Sequence, residues 1–289
     1  MVSAPADKTR FSDYAVDLFS HIYSRKRVKN AIKSGNLLLN GEPAETGRWV
    51  KTGDRIDLVD HEKKAPKSYY MKIEIVYEDD HFAVVHKPAG IVVNGNRFRT
   101  LENALQENIN KSPLEDALQW PRPVHRLDSA TSGLLLVAKT ARASTDLGRQ
   151  FAERTIYKIY RAVVVGTMPL QGVIDEKIDN QDAVTSYALI KTVPSLRNES
   201  LSLVELYPET GRTHQLRIHL SRAGHPIMGD RIYGREGNTL LHKGLFLAAV
   251  GLAFTHPISR EQLDIRVNEP EKFNSLLERE EKRWRKYTV

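Results

Sequence analysis

Pro123-Val124-His125-Arg126-Leu127-Asp128-Ser129-Ala130-Thr131-Ser132-Gly133 runs directly into Leu134-Leu135-Leu136-Val137-Ala138-Lys139. The second half is an apolar run of strand length and reads as a buried β-strand. The first half is a polar loop that delivers one carboxylate, Asp128, to the edge of the sheet that strand joins. His125 and Arg126 crowd this carboxylate on one side and small polar residues follow on the other. Such donors and charges hold a carboxylate ionised near neutral pH. Two readings of Asp128 stand open at this level: a turn cap, the commoner fate of a lone loop aspartate, or a reactive group.

Outward from this stretch, helices and strands mix without regular βαβ order. Residues 73–88, IEIVYEDDHFAVVHKP, read as two strands around a turn near Asp79-Asp80. Thr100 is placed to cap a helix through about Asn108. Thr140 is placed to cap another through about Glu153, with Ala141, Leu147 and Phe151 inward. Residues 156–166, IYKIYRAVVVG, read as a strand rich in β-branched and aromatic side chains. A charged last helix is expected in LLEREEKRWRKYTV, residues 276–289. This mixture predicts an α+β domain with a mainly antiparallel sheet over residues 71–289.

Residues 11–60 form a separate block. FSDYAVDLFSHIY (11–23) repeats Phe11, Ala15, Leu18, Phe19 and Ile22 at helical steps. In SRKRVKNAIKSG (24–35), Ser24 is placed to cap and Gly35 to stop a second helix, with Val28, Ala31 and Ile32 toward a core. A strand and an Asn40-Gly41 hairpin turn follow, then a turn at Gly53 and a closing strand. Residues 61–70, HEKKAPKSYY, read as a linker. Arg25, Lys26, Arg27, Lys29 and Lys33 give the second helix five positive charges with no acidic residue between them. They make either a solvated face or a phosphate-binding stripe.

At 289 residues the chain is long enough for about two domains. Lys and Arg number 43 against 36 Asp and Glu, a net charge of +7, which permits an anionic partner without requiring one. With 40% apolar and 27% charged residues, the composition is that of a folded chain. The absence of cysteine excludes disulfides, thiolate metal sites, iron–sulfur clusters and cysteine nucleophiles. No Walker loop or dinucleotide fingerprint occurs. No stretch approaches about 18 uninterrupted apolar residues, and MVSAPADKTRFSD lacks a signal-peptide core. No membrane span is expected, and the cytoplasm is the expected location.

Two further segments bear chemistry. In Lys158-Ile159-Tyr160-Arg161-Ala162, alternation sets Lys158, Tyr160 and Ala162 on one strand face, where Tyr160 could stack on a flat base or serve as an ordinary sheet aromatic. Gly211-Arg212-Thr213-His214-Gln215-Leu216-Arg217-Ile218-His219-Leu220 is followed by AGHPIMGDRIYG. Three histidines and an aspartate so close together suggest a metal-dependent nuclease using His214, His219, His225 and Asp230. However, His214 and His219 are five apart and share a face on neither a helix nor a strand. If this segment opens a helix, its amides with Arg212 and Arg217 make an anion site instead.

Together, HRLDSATSG, KIYRAVVVG and GRTHQLRIHL with GHPIMGD resemble, in order and character, the motifs of the RluA-like family of pseudouridine synthases. HKPAGIVV (86–93) and LHKGLFLAAVGLAFTHP (241–257) match as well, so the resemblance spans about residues 72–268. Many relatives follow the apolar pair after KPAG with His-Pro, where this chain has Asn94-Gly95. The basic helix, Gly35, the apolar strand, Asn40-Gly41 and VKTGDRI in turn resemble the S4 RNA-binding module.

The resemblance implies isomerisation of uridine in RNA to pseudouridine, without cofactor or metal. It makes Asp128 the catalytic carboxylate, Arg217 its ion-pair partner, and Tyr160 the ring that stacks on the uracil. Arg126 would help hold the target nucleotide out of its helix, Leu216 would wall the base pocket, and His125 and Arg212 would contact substrate. The stripe of Arg25, Lys26, Arg27, Lys29 and Lys33 would hold phosphates. The expected partner is RNA, ribosomal first and transfer RNA second, bound by a monomer. The competing reading is an RNA-binding or assembly protein that keeps the fold without the reaction.

Overall fold

The computed structural model describes residues 9–16, 18–19, 25–59, 68–235 and 243–288, apart from the side chain of Arg27. The chain divides into two compact units, Met1–Ala65 and Pro66–Val289. Ser24 and most of the expected linker lie outside the described residues.

In the first unit, β1 (Thr9–Arg10) pairs with β4 (Trp49–Val50), and β2 (Leu37–Leu39) lies between β3 (Glu42–Pro43) and β5 (Ile56–Leu58). Helices α1 (Phe11–Tyr14) and α2 (Arg25–Lys33) accompany them. The helix expected from Phe11 is described only to Tyr14, with Ala15 closing it. Phe11, Val28, Ile32, Leu37, Leu39 and Val50 form the small core. Asn40 and Gly41 both take positive φ, 55° and 82°, the geometry a two-residue hairpin turn demands. Gly35 ends α2 at φ 74°.

The second unit is built on one mixed sheet of ten strands. Its elements are β6 (Glu74–Glu78), β7 (Phe82–Lys87), α3 (Leu101–Leu105), β8 (Ala117–Pro123), β9 (Ser132–Thr140), α4 (Ala141–Ala152), β10 (Tyr157–Val165), β11 (Gln171–Asp175), β12 (Val184–Ser195), β13 (Glu199–Pro208), α5 (Gln215–Arg222), β14 (Leu247–Thr255), β15 (Gln262–Arg266) and α6 (Lys272–Thr288). The main path runs β11-β12-β13-β10-β14-β9-β7-β6, with β15 on β14 and β8 on β9. Every strand pair is antiparallel except β9 with β14.

That parallel seam depends on a glycine. Gly133 has φ 116°, and a Cβ there would sit 2.0 Å from the Ala249 carbonyl oxygen. Only glycine tolerates both the dihedral and the approach. The apolar run Leu134–Ala138 is buried throughout, because both faces of this central strand are covered. Even positions join Phe82, Leu147 and Phe254, and odd positions join Val85, Leu101 and Leu105.

Helix α3 is shorter than expected, ending at Leu105 rather than near Asn108, though Thr100 caps it by accepting from the Asn103 N–H at 3.1 Å. Helix α4 keeps its Thr140 cap, but Ala143, not Ala141, turns inward beside Leu147. Ala141 is exposed, since as the first helical residue it precedes the apolar stripe.

Candidate active site

Asp128 lies between β8 and β9 on a loop tied at several points. Val124 N–H donates to Leu136 O at 2.9 Å, and Leu136 N–H donates to the His125 Nε2 at 3.0 Å. Leu127 is buried among Val93, Ala104 and Val137. One residue past Asp128, Ser129 O accepts from Gly90 N–H at 2.6 Å and from the Lys87 ammonium at 3.3 Å.

Lys87 is wholly buried, and it also donates to Pro88 O and Ile91 O at 2.9 Å each. Its ammonium therefore ties the 88–91 turn to the Asp128 loop. Burial pulls its pKa down to about 8, while the negative charge of Asp128 opposes the shift. Sequence reasoning assigned Lys87 no part. The signal was available as a lone lysine ending an otherwise apolar strand.

The other wall comes from the turn before α5. His214 stands at its N-cap with φ 56°, a left-handed conformation uncommon outside glycine. Gln215 staples the turn: its Oε1 accepts from Thr210 Oγ1 and from Arg212 N–H, and its Nε2 donates to Val184 O and Thr185 Oγ1. The helix then turns Arg217 inward. Its Nε and Nη2 donate to Asp230 at 2.7 and 2.8 Å, and its Nη1 lies 3.6 Å from Asp128 Oδ2.

Arg217 was expected to pair with Asp128; it faces two carboxylates, and the tighter partner is Asp230. Asp230 further accepts from Ile232 and Tyr233 N–H, and its pKa is held low by Arg217 and these amides against the opposing effect of burial. The Tyr233 ring lies under the guanidinium at 5.1 Å, and its hydroxyl is 3.0 Å from His214 Nδ1. His214 Nε2 is in turn 3.8 Å from Asp128.

Asp128, His214 and Arg217 line a pocket of about 500 Å³ that Tyr160, on β10, also faces. Tyr160 sits at a bulge between Ile159 and Tyr160. Burial first, and the Asp128 charge second, push its phenol pKa up, so it stays protonated. Leu216 and Leu247 supply apolar wall, while Arg126, Arg154, Lys158 and Arg212 supply positive charge. Arg126 is exposed. Arg212 donates from Nε to Asp182 O, and Lys158 from Nζ to Thr210 O. Burial draws Lys158 down to about 8, with Arg154 adding to the shift.

His125 is engaged by the protein's own groups. It borders the pocket, but its Nε2 accepts from the backbone and its ring lies 4.5 Å from that of Phe151. Burial pushes its pKa down to about 3, with Lys158 adding to the effect. With Nε2 accepting, the neutral imidazole carries its single proton on Nδ1.

The residues weighed as metal ligands are used elsewhere. His219 is buried between Thr185 Oγ1 and Glu176 O, and His225 Nδ1 meets Val165 O. Among the described residues no three His, Asp or Glu side chains converge as a metal would require.

On the first unit, Arg25 is not free. It pairs with Asp13, twelve residues earlier, at 2.6 Å. Lys26, Lys29 and Lys33 are exposed on α2.

The arrangement is a pocket with a partly apolar wall and a tyrosine ring, the Asp128 carboxylate on its lining, a clamped guanidinium beside that carboxylate, and several cations around it. Comparison with known proteins agrees. A family model described as RNA pseudouridylate synthase matches residues 81–222. Ribosomal large subunit pseudouridine synthase D of Xanthomonas campestris is 35% identical over 303 aligned residues, covering 93% of this chain and 88% of that protein. The protein of the same description from Zymomonas mobilis is 36% identical, covering 88% of each. The structure of human RNA pseudouridylate synthase domain containing 1 superposes with a TM-score of 0.58 at 26% identity, covering 69% of this chain and 84% of that one. The chain belongs to the RNA pseudouridine synthase family. It is an isomerase that modifies RNA, with a mainly antiparallel mixed sheet. Among the described residues, no helix is long and apolar enough to cross a membrane.

Proposed function

We propose that the enzyme isomerises specific uridines of ribosomal RNA, with Asp128 as the reacting carboxylate. The observation that carries this is the approach of Asp128 Oδ2 to within 3.6 Å of Arg217 Nη1 at the mouth of a pocket faced by Tyr160. The relatives from Xanthomonas campestris and Zymomonas mobilis bear ribosomal names, which favours that RNA over transfer RNA. A cytoplasmic location fits such a substrate.

The reaction breaks the bond from C1′ to N1, turns the uracil in place, joins C5 to C1′, and moves the C5 proton to nitrogen. No electrons are gained or lost. A carboxylate can serve by attacking C1′ or by taking the C2′ proton, and Asp128 stands where either is possible. Arg217 balances its charge without claiming it, being held by Asp230. Tyr160 presents its ring to the extruded uracil, and Leu216 walls the pocket. Extruding a base costs a few kcal/mol, which stacking and phosphate contacts must offset. Arg126, Arg154, Lys158 and Arg212 are the groups at the rim suited to phosphates. His125 supports the wall rather than the substrate.

The first unit fits an S4-like module that adds affinity. The support is the order of its elements and the exposed Lys26, Lys29 and Lys33 on α2. Such contacts grip phosphates without reading bases.

The deciding experiment maps pseudouridines across total RNA from cells with and without this chain. Loss of particular ribosomal sites, restored by the wild-type protein and not by Asp128→Asn, is the expected result. Unchanged ribosomal RNA with a lost transfer RNA site would move the substrate. No lost site anywhere would favour the binding-only reading.

A further inference from the structure

The segment from Asn94 to Arg99, NGNRFR, is exposed along its whole length, yet it is fastened at its base. Asn103 Nδ2 donates to Phe98 O at 2.7 Å and to Arg97 O at 3.4 Å. Thr100 bridges to Val92, and Leu101 and Glu102 N–H donate to Val92 O and Val93 O at 2.9 Å. At the tip, Phe98 is 51% exposed, its ring set edge-on to Tyr69 at 5.6 Å. Tyr70, next to Tyr69, is 90% exposed. Arg97 and Arg99 flank the phenyl ring, and neither guanidinium has an ion-pair partner among the described residues.

A single exposed aromatic is unremarkable on a soluble protein. Here one exposed ring, set on Tyr69, and two unpaired guanidiniums share one pinned loop, and Tyr70 is the sequence neighbour of that Tyr69. Rings that can stack on any base, alternating with cations for the backbone, are the composition of a single-strand RNA platform. The loop also continues from the turn that Lys87 and Gly90 fasten to Ser129, beside Asp128. Counting two residues from Gly90 to Val92, the bridge to Thr100 and two residues back, Phe98 lies at most about 20 Å from Gly90. That distance is a few nucleotides of RNA.

We propose that Phe98, with Arg97 and Arg99, forms a stacking platform for an unpaired nucleotide flanking the target uridine. The ring takes the base face, and the guanidiniums take the adjoining phosphates. This rests on the enzyme acting on RNA but not on the role of Asp128. Because the platform is ordered before RNA arrives, it loses little conformational freedom on binding.

The test measures binding of unmodified large-subunit ribosomal RNA, transcribed in vitro, by fluorescence anisotropy, with pseudouridine formation assayed separately. Phe98→Ala should weaken binding roughly tenfold, within the range expected for one stacked base, with the loss falling on KM. Phe98→Trp should restore it. Arg97→Gln with Arg99→Gln should lower the dependence on salt by between one and two charges. Thermal melting checks that each variant is folded. Unchanged affinity and salt slope in these folded variants would overturn the platform, whatever the activity. Conversely, weakened binding by Phe98→Ala alongside an inactive wild type would keep the platform and remove the isomerase reading.

Discussion

Arg217 grips Asp230 with two of its three nitrogens, at 2.7 and 2.8 Å, and turns the third toward Asp128 at 3.6 Å. A guanidinium bonded in both places equally would tie up the Asp128 carboxylate. Clamped from behind, it supplies charge at a distance that leaves the Asp128 oxygens unclaimed. The Tyr233 ring and the amides of Ile232 and Tyr233 hold the clamp itself.

Asp230→Ala should therefore do two kinds of damage. Removing one partner of a buried pair costs about 3–5 kcal/mol, visible as an earlier urea midpoint. The released guanidinium should close on Asp128, so single-turnover rates should fall at temperatures where the variant is still folded. A variant destabilised to this extent but fully active would show that the clamp serves the fold alone.

Asp128→Asn should remove the product while RNA affinity stays within about twofold. An amide retains the shape and loses the nucleophilic, proton-accepting charge. Substantial residual turnover, read by pseudouridine mapping, would remove Asp128 from its proposed role.

His125 supplies a pH dependence. Its folded pKa of about 3 lies below the ordinary 6.5, lowered first by burial and then by Lys158. The unfolded chain binds the proton more readily, so stability is complete above about pH 6.5 and declines as pH falls toward 3. The decline between pH 7 and 5 should be about 1–2 kcal/mol in urea titrations. His125→Gln, which cannot titrate, should flatten that limb. An unchanged slope would locate the acid sensitivity elsewhere.

On the first unit, Lys26, Lys29 and Lys33 changed together to Gln should reduce the slope of log affinity against log salt by about two to three. Changing Arg25 should contribute less than any one of these, since Asp13 already neutralises it. A slope unaffected by the triple change would make the stripe a solvated face.

Gly133→Ala should be among the most damaging small substitutions in the second unit. The new methyl would meet the Ala249 backbone at 2.0 Å, and backbone cannot rotate aside as a side chain can. A loss of about 4 kcal/mol or more is expected, read by thermal unfolding. A near-native melting temperature would mean that the seam yields.

Much of this was legible in the residues, for local reasons. Leu134–Ala138 had to be buried, Thr100 and Thr140 had side chains suited to capping, and Asn40-Gly41 could take the positive φ values of a tight hairpin. Antiparallel dominance followed from the irregular element order. The nearness of the Asp128 loop and the Arg217 helix, far apart in the chain, was reached through motif resemblance and not through spacing.

Other features depended on neighbours distant in sequence. Strand β8 reads poorly because Pro121 and Pro123 interrupt it. The tight partner of Arg217 was hidden because Asp230 drew attention as a metal ligand. His125 beside an aspartate suggested a polar contact, whereas Leu136 and Phe151 had already engaged it. Arg25 lost its freedom to an acid outside its own helix.

Strand β14 is the last strand but one to be made, yet it lies between β9 and β10. The Asp128 loop belongs to the strands on one side of that slot, and Tyr160 to those on the other. A ribosome that has translated through residue 230 has thus made every charged group of the pocket, but neither Leu247 of its wall nor the strand that joins the two halves. Until β14 threads the gap, each half-sheet shows a bare edge open to unwanted pairing. The two sides of the pocket are thus joined by one of the last strands the nascent chain supplies.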